Sequence, residues 1–508
     1  DPVQRQILEL ANNLHDFEQL ISTLSFARRT LRTDGSPALI EIYGPDRRPG
    51  LAHVIAGFAA VQEARDKFVQ PLSGEDASQD YSALQSLFGE AMQMMAGGLA
   101  CMPPDVDVET EPEWFTPSET VGYAMRDLGP LDRELRALGA LEAMEQFKGD
   151  RQAFRSELLK LHTEVVAMTK ARGEYCKIPL EVSFYKADYF TKALVFFLLG
   201  FLLVAVSWLV QPNRWLQLGI WLCTGTGAAL VVAGITLRCI IRSRPPVLTL
   251  YDTIIFIAAA CVLVAMFMEW INRQRIALAL ATMLGAGGMF LSMKYELKEA
   301  ATAGDTMSSL VAVLDTNFWL ATHVTTITLG YAAGLLASAI AHVWLLGKLF
   351  GLRKGDKTFY KSITRMVYGV VCFGLLLSVV GTILGGIWAN MSWGRFWGWD
   401  PKENGALLIC IWELMILHAR MAGFIRDRGL AVMAVLGGLV VAFSWWGVNL
   451  LNIGLHSYGF TSGIFKVLAV VFAVEGLALL VSAGHWLFER GQLAAVAAVA
   501  VVPAAEDN

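Results

Sequence analysis

From Thr191 onward the chain is a succession of apolar runs, each long enough to cross a bilayer, and this limits the fold more than any other feature of its 508 residues. A segment in hydrocarbon must satisfy its own backbone hydrogen bonds, so runs of this length become helices packed side by side. Nine spans are read at 191–210, 215–237, 249–270, 276–293, 318–346, 366–387, 404–422, 429–447 and 463–486. A mean hydropathy of +0.48 with 17% charged residues excludes an ordinary soluble enzyme. The expected fold class is all-α, a polytopic membrane helix bundle of about nine transmembrane helices with an N-terminal, mainly helical domain ahead of it.

Residues 1–188 carry most of the acidic groups. Val3, Ile7, Leu10, Leu14, Phe17, Ile21 and Leu24 keep an a/d spacing that predicts a helix with one apolar face, packed into a bundle. Breaks around Gly44–Gly50 and Pro103–Pro117 precede further helices over 118–147, interrupted at Gly129 and Pro130, and over 150–171. In the latter, Phe154, Leu158, Leu161, Val165 and Met168 repeat the spacing, whereas Ala38–Tyr43 reads as a strand. His15, His53 and His162 read as solvated or packed side chains. A net charge of -4 gives no reason to expect nucleic acid as a partner. The start at Asp1, without a signal-peptide pattern, is read as a processed or truncated terminus.

Seven cysteines include no Cys-x-x-Cys, which excludes a c-type cytochrome or a thioredoxin-like reductase by this chain's own motifs. Cys101 and Cys176 can pair if their region is extracytoplasmic, and the other five read as buried thiols. Basic residues decide the sides. Arg214, Arg273, Arg275, Lys348, Arg353, Lys354, Lys357, Lys361, Arg365, Arg420, Arg426 and Arg428 follow the first, third, fifth and seventh spans, and the remaining loops hold fewer. The first set is expected in the cytoplasm. This gives an extracytoplasmic domain over 1–188, a transmembrane domain over 189–490 with an external loop at 388–404, and a cytoplasmic tail over 491–508.

That loop is the most unusual stretch: Trp388, Trp393, Trp397, Trp399 and Phe396 crowd around Arg395, Asp400, Lys402 and Glu403. An interfacial anchor needs one or two such rings; this many make a surface for a large planar ligand that carries charge. His323 opens the fifth span and His456 lies between the eighth and ninth, both at the depth of the tryptophans. Two neutral imidazoles across an aromatic slot suit haem iron. Arg395 and Lys402 can meet its propionates, or equally lipid headgroups or Asp400 and Glu403. His418 lies fifteen residues beyond Glu403, roughly 22 Å inward at the helical rise. It is either a ligand at a second station or an interfacial side chain beside Arg420. His342 and His485 reach similar depth.

The run from Trp393 to Glu403 resembles the WWD signature of haem-handling proteins of cytochrome c maturation, and its Asp-Pro-Lys-Glu ending resembles the CcsA/ResC branch. The His323 segment with Gly330-Tyr331, the Leu417-His418-Ala-Arg420 ending, Gly454-Leu-His456-Ser-Tyr458 and Arg244-Pro-Pro-Val-Leu-Thr-Leu-Tyr251 are similar too, so the resemblance covers about residues 177–488. It implies an external site that binds haem b between His323 and His456 and a membrane ligand at His418 on a route from the cytoplasm. Trp388, Trp393, Trp397, Trp399, Asp400, Arg395 and Lys402 would contact the haem. No catalytic residue is expected beyond haem positioning. The implied reaction is holocytochrome c synthase (haem lyase) chemistry of system II, attaching haem vinyl groups to an apocytochrome c Cys-x-x-Cys-His. The alternative is a haem exporter or chaperone serving a separate ligase. A solute or ion transporter is disfavoured because no span is both broken and charged near the midplane.

Implied partners are apocytochrome c, a CcsB/ResB-like membrane subunit, a thiol-reducing thioredoxin-like protein and membrane lipid, in the cytoplasmic (inner) membrane. The family draws a second membrane histidine from that subunit, and this chain lacks its set of spans. His342 or His485 is a substitute on depth alone. Residues 1 to about 176 carry no resemblance, although Glu181 and Tyr185 look like the lead-in of CcsA fusions.

Overall fold

The structure, a computed structural model, describes residues 2–22, 24–33, 36–44, 49–57, 60–61, 75–94, 100–103, 114–116, 119, 132–210, 213–303, 305–307, 318–451, 453–454 and 464–500. They fall into two units, Asp1–Leu180 and Glu181–Asn508.

The first unit holds α1 (Pro2–Ser22), α2 (Pro37–Tyr43), α3 (Leu51–Ala56), α4 (Glu75–Met94), α5 (Asp132–Gln146) and α6 (Arg151–Ala171). Its core gathers Leu31, Leu39, Tyr43, Leu51, Leu87, Met102, Leu138 and Leu141. Asp150 caps α6 by accepting from the Gln152 and Ala153 amides. Glu142 accepts from the Ala52 amide at 3.0 Å, and burial pushes its carboxyl above the usual range.

Two expectations fail in this unit. Ala38–Tyr43 is helical because Pro37 opens the turn and Ser36 Oγ accepts from the Leu39 amide at 3.0 Å, a start signal that outweighs the β-branched residues. The heptad stripe of α1 does not pack, since Ile7, Leu10, Leu14, Phe17 and Ile21 are all exposed. The spacing reported an amphipathic helix, but the core is built by other elements, with only Leu24 just beyond α1 packed against it. Cys101 and Cys176 are both free. Of the helix expected over 118–147, Asp132–Gln146 is observed, and 120–131 lie outside the described residues. Among the described residues, strand pairing is limited to an isolated Met102–Phe115 bridge.

After α7 (Ile178–Ala187), the second unit contains α8 (Tyr189–Leu209), α9 (Arg214–Arg242), α10 (Leu250–Asn272), α11 (Ile276–Ala303), α12 (Phe318–Leu349), α13 (Lys357–Trp393), α14 (Pro401–Met421), α15 (Asp427–Trp445) and α16 (Ile464–Ala500). Nine helices among the described residues are long and apolar enough to cross a membrane, which makes this a multi-pass membrane protein. Helices α8–α11 pack on one another, as do α12–α15, and α10 touches α12 between the groups. Helix α16 is peripheral, with 6% of its apolar window buried. One buried cluster of charges is paired: Asp252 takes Arg238 at 2.9 Å and Arg242 at 2.7 Å.

The sixth span is longer than its apolar run. Helix α13 begins at Lys357, capped by Asp356, and continues through Trp388 to Trp393. The first part of the tryptophan-rich stretch, Trp388 to Trp393, is therefore helix, and α14 starts at Pro401, leaving a short connection from Gly394 to Asp400.

Candidate functional site

His323 lies in the second turn of α12, half-buried against α13. Its Nδ1 is 2.8 Å from the Gly381 carbonyl oxygen. A carbonyl only accepts, so Nδ1 carries a proton, and in a neutral ring the lone pair is then that of Nε2. The approach of the two helices depends on glycine. A Cβ at Gly381 would lie 2.7 Å from the Ile327 nitrogen, and one at Gly385 would lie 2.5 Å from the His323 ring. One turn on, the Trp388 ring lies nearly parallel to the imidazole, 9° between planes with centroids 6.4 Å apart. Trp393 meets Trp388 edge-on at 4.7 Å, and the Phe396 ring occupies the space over Gly386.

The connection to α14 is held by its own polar groups. Gly394 ends α13 in the left-handed conformation. Asp400 and Glu403 form a capping box with Pro401 at the first helical position. Glu403 Oε2 accepts from the Gly398 amide at 2.8 Å and the Asp400 amide at 3.1 Å. Asp400 Oδ1 accepts from the Lys402 amide at 2.9 Å, and Asn404 Nδ2 donates to the Trp399 carbonyl at 3.0 Å. The Lys402 ammonium donates to the Ser444 and Trp445 carbonyls, which ties α14 to the last turn of α15. Arg395 is exposed and lays its guanidinium over Gly398. Trp397 and Trp399 meet edge-on at 6.1 Å, with Trp399 71% exposed.

Gly454, at φ +89°, packs against the Asp400 carboxylate where a side chain would clash. This brings the chain to the α14 N-terminus two residues before His456, which lies outside the described residues. Trp445 and Trp446 stack at 4.4 Å where α15 ends. The buried indole N–H groups of Trp388 and Trp446 have no hydrogen-bond partner among the described residues. His323, Trp388, Trp393 and the 394–400 connection are thus gathered at one end of α12–α15.

His418 lies near the opposite end of α14, exposed, with Nδ1 donating to the Leu414 carbonyl at 2.9 Å. His342 is engaged, with Nδ1 on the Ser338 carbonyl and Nε2 2.7 Å from Glu475. His485 lies 3.9 Å from Glu489. Gly381, Gly385 and Gly386 were missed in the sequence, although their spacing of small residues is the signal for close helix approach. The Trp445-Trp446 pair was missed as well, because it falls outside the tryptophan-rich run.

The family described as Cytochrome C assembly protein matches residues 247–456, a range that takes in His323, the tryptophan-rich connection, His418 and His456. The Cytochrome c biogenesis protein CcsA of Synechococcus sp. (strain CC9902) is 32% identical over 260 residues, 45% of this chain and 83% of that protein. Its namesake from Synechococcus sp. (strain CC9311) is 31% identical over 303 residues, 53% of this chain and 96% of that protein. That of Chlamydomonas reinhardtii is 31% identical over 229 residues, 42% of this chain and 61% of that protein. The chain belongs to the CcsA family of cytochrome c biogenesis proteins.

Proposed function

We propose that this chain binds haem b as a substrate at the His323 end of α12–α15 and presents it to an apocytochrome c for thioether attachment. The observation that carries the reading is the His323 geometry. An imidazole fixed by a carbonyl on Nδ1, backed by Gly385 and flanked by a parallel Trp388, offers Nε2 as an axial nitrogen in a set orientation. His456 supplies the second axial nitrogen, and the docking of Gly454 on Asp400 supports its delivery to the same end. The two unbonded indole N–H groups and the exposed Arg395 suit the acceptor oxygens of propionates. Lys402 serves instead to fix α14 against α15.

The reaction is an addition. Each thiol of a Cys-x-x-Cys-His peptide adds across a vinyl C=C, sulfur bonding to one carbon and the thiol hydrogen going to the other, with no net redox change. The protein contributes orientation, holding the vinyl edge toward the peptide while the peptide histidine replaces an axial ligand. This end faces outside the cytoplasm in the inner membrane, as the basic loops indicate. His418, exposed at the far end, is the ligand of an inner station completed by a CcsB/ResB-like subunit. A thioredoxin-like protein keeps the substrate thiols reduced. Co-expression with that subunit and a Cys-x-x-Cys-His reporter tests the reading. Covalent holocytochrome supports it; haem-loaded protein that never yields thioether product supports the exporter or chaperone alternative instead.

A further inference from the structure

Between α12, α13, α14 and α15 lies a carboxyl group that the proposed haem site does not use. Glu413 is 5% exposed, and twelve residues beyond Pro401 it sits roughly 18 Å from that helix end, near the middle of a span. Among the described residues neither carboxyl oxygen has a hydrogen-bond partner, and the same is true of the buried Ser378 hydroxyl of α13. Glu413 lines a small cavity of about 10 Å³, walled by Gly334 and Ala337 of α12, Val371 of α13 and Gly437 and Val441 of α15. A Cβ at Gly374 would lie 2.6 Å from Glu413 Oε1, so glycine makes the room for this carboxyl.

An ionised carboxylate here would face apolar walls with no counter-charge, which burial in a membrane core strongly disfavours. None of the groups presented by α12, α13 or α15 at the cavity titrates, and on α14 itself the titratable neighbour is Cys410, one turn earlier. Three acidic, cysteine or histidine donors do not gather anywhere among the described residues, which leaves a divalent metal without a ligand set. A proton solves the problem by neutralising the group and making it a donor toward Ser378.

We propose that Glu413 is a proton-binding site in the core of the membrane bundle, held as a neutral carboxylic acid and exchanging its proton when α12, α13 and α15 part around it. The bundle then couples proton exchange to helix separation: the closed packing requires the acid form, and ionisation favours an opened form that admits water or a cation.

Infrared spectroscopy of the purified full chain at neutral pH tests this. The expected result is a protonated-carboxyl C=O band that is lost in Glu413→Gln, shifts in D2O and changes position in Ser378→Ala. Raising the pH should destabilise the native chain more than Glu413→Gln, which keeps the neutral shape. Absence of a Glu413-dependent C=O band at neutral pH overturns the proposal, as does a band that D2O never shifts. A carboxylate band that responds to sodium or potassium also overturns it in favour of a cation site. If Glu413→Gln fails to fold, the Ser378→Ala shift and the D2O exchange of the native chain decide the question by the same criteria.

Discussion

The two ends of α14 are built differently. At its N-terminus the capping box of Asp400 and Glu403, the Lys402 bonds to α15 and the docked Gly454 join three segments in one polar lattice beside His323. At its C-terminus His418 stands exposed, bonded among the described residues to its own helix. The first end carries within this chain what is needed to orient an imidazole. The second presents an imidazole on the bundle surface, a place that another helix can reach. The same four helices thus hold one imidazole within the bundle and another at its surface.

The largest expected effect separates these ends. His323→Gly and His418→Gly should each lower holocytochrome yield in co-expression more than tenfold. Haem added to the purified chain, however, should bind His418→Gly as it binds the native protein and fail to bind His323→Gly. Equal loss of binding in both variants would dissolve the distinction. Gly385→Ala comes next, because its Cβ would press on the imidazole. Overpacking of this kind costs about 1–2 kcal/mol, a roughly five- to thirtyfold loss of haem affinity. An unchanged affinity, measured by haem titration, would show that ring position does not govern binding.

Glu403→Gln should have a smaller effect. It weakens the hold on the Gly398 and Asp400 amides at about 1 kcal/mol, read as a few-fold fall in haem affinity and faster amide exchange over 394–400. The smallest effect lies in the N-terminal unit. Burial raises the Glu142 pKa in the folded state, so its contribution to stability is full below the unfolded value, near 4.3, and is lost as pH rises through the raised folded value. Glu142→Gln should remove that loss, flattening the pH dependence of amide exchange over 132–146 between acid and neutral conditions.

The membrane fold was legible because hydrocarbon permits so few solutions: an apolar run of about twenty residues is a helix wherever it packs. Ends were less legible, since α13 continues nine residues before its predicted start and carries Trp388 and Trp393 as helix. The added residues, Lys357 to Arg365, are mostly polar, so the apolar run is shorter than the helix that contains it. His323 could be picked out by depth, but its contact with Gly381, 58 residues away, follows from helix crossing rather than from any local pattern. The exposed stripe of α1 fails for the converse reason, because periodicity defines a face without defining what it meets. Glu413 passed unnoticed as one acidic residue in an apolar run, and its isolation is a property of the three helices around it.

The most direct test of the central claim is the ferric haem spectrum of the full chain purified under haem-replete expression, beside that of His323→Gly with and without imidazole. The account predicts a low-spin spectrum with two axial nitrogens in the native protein, lost in the variant and restored when imidazole enters the space left by the ring. An identical low-spin spectrum in His323→Gly without imidazole would contradict it.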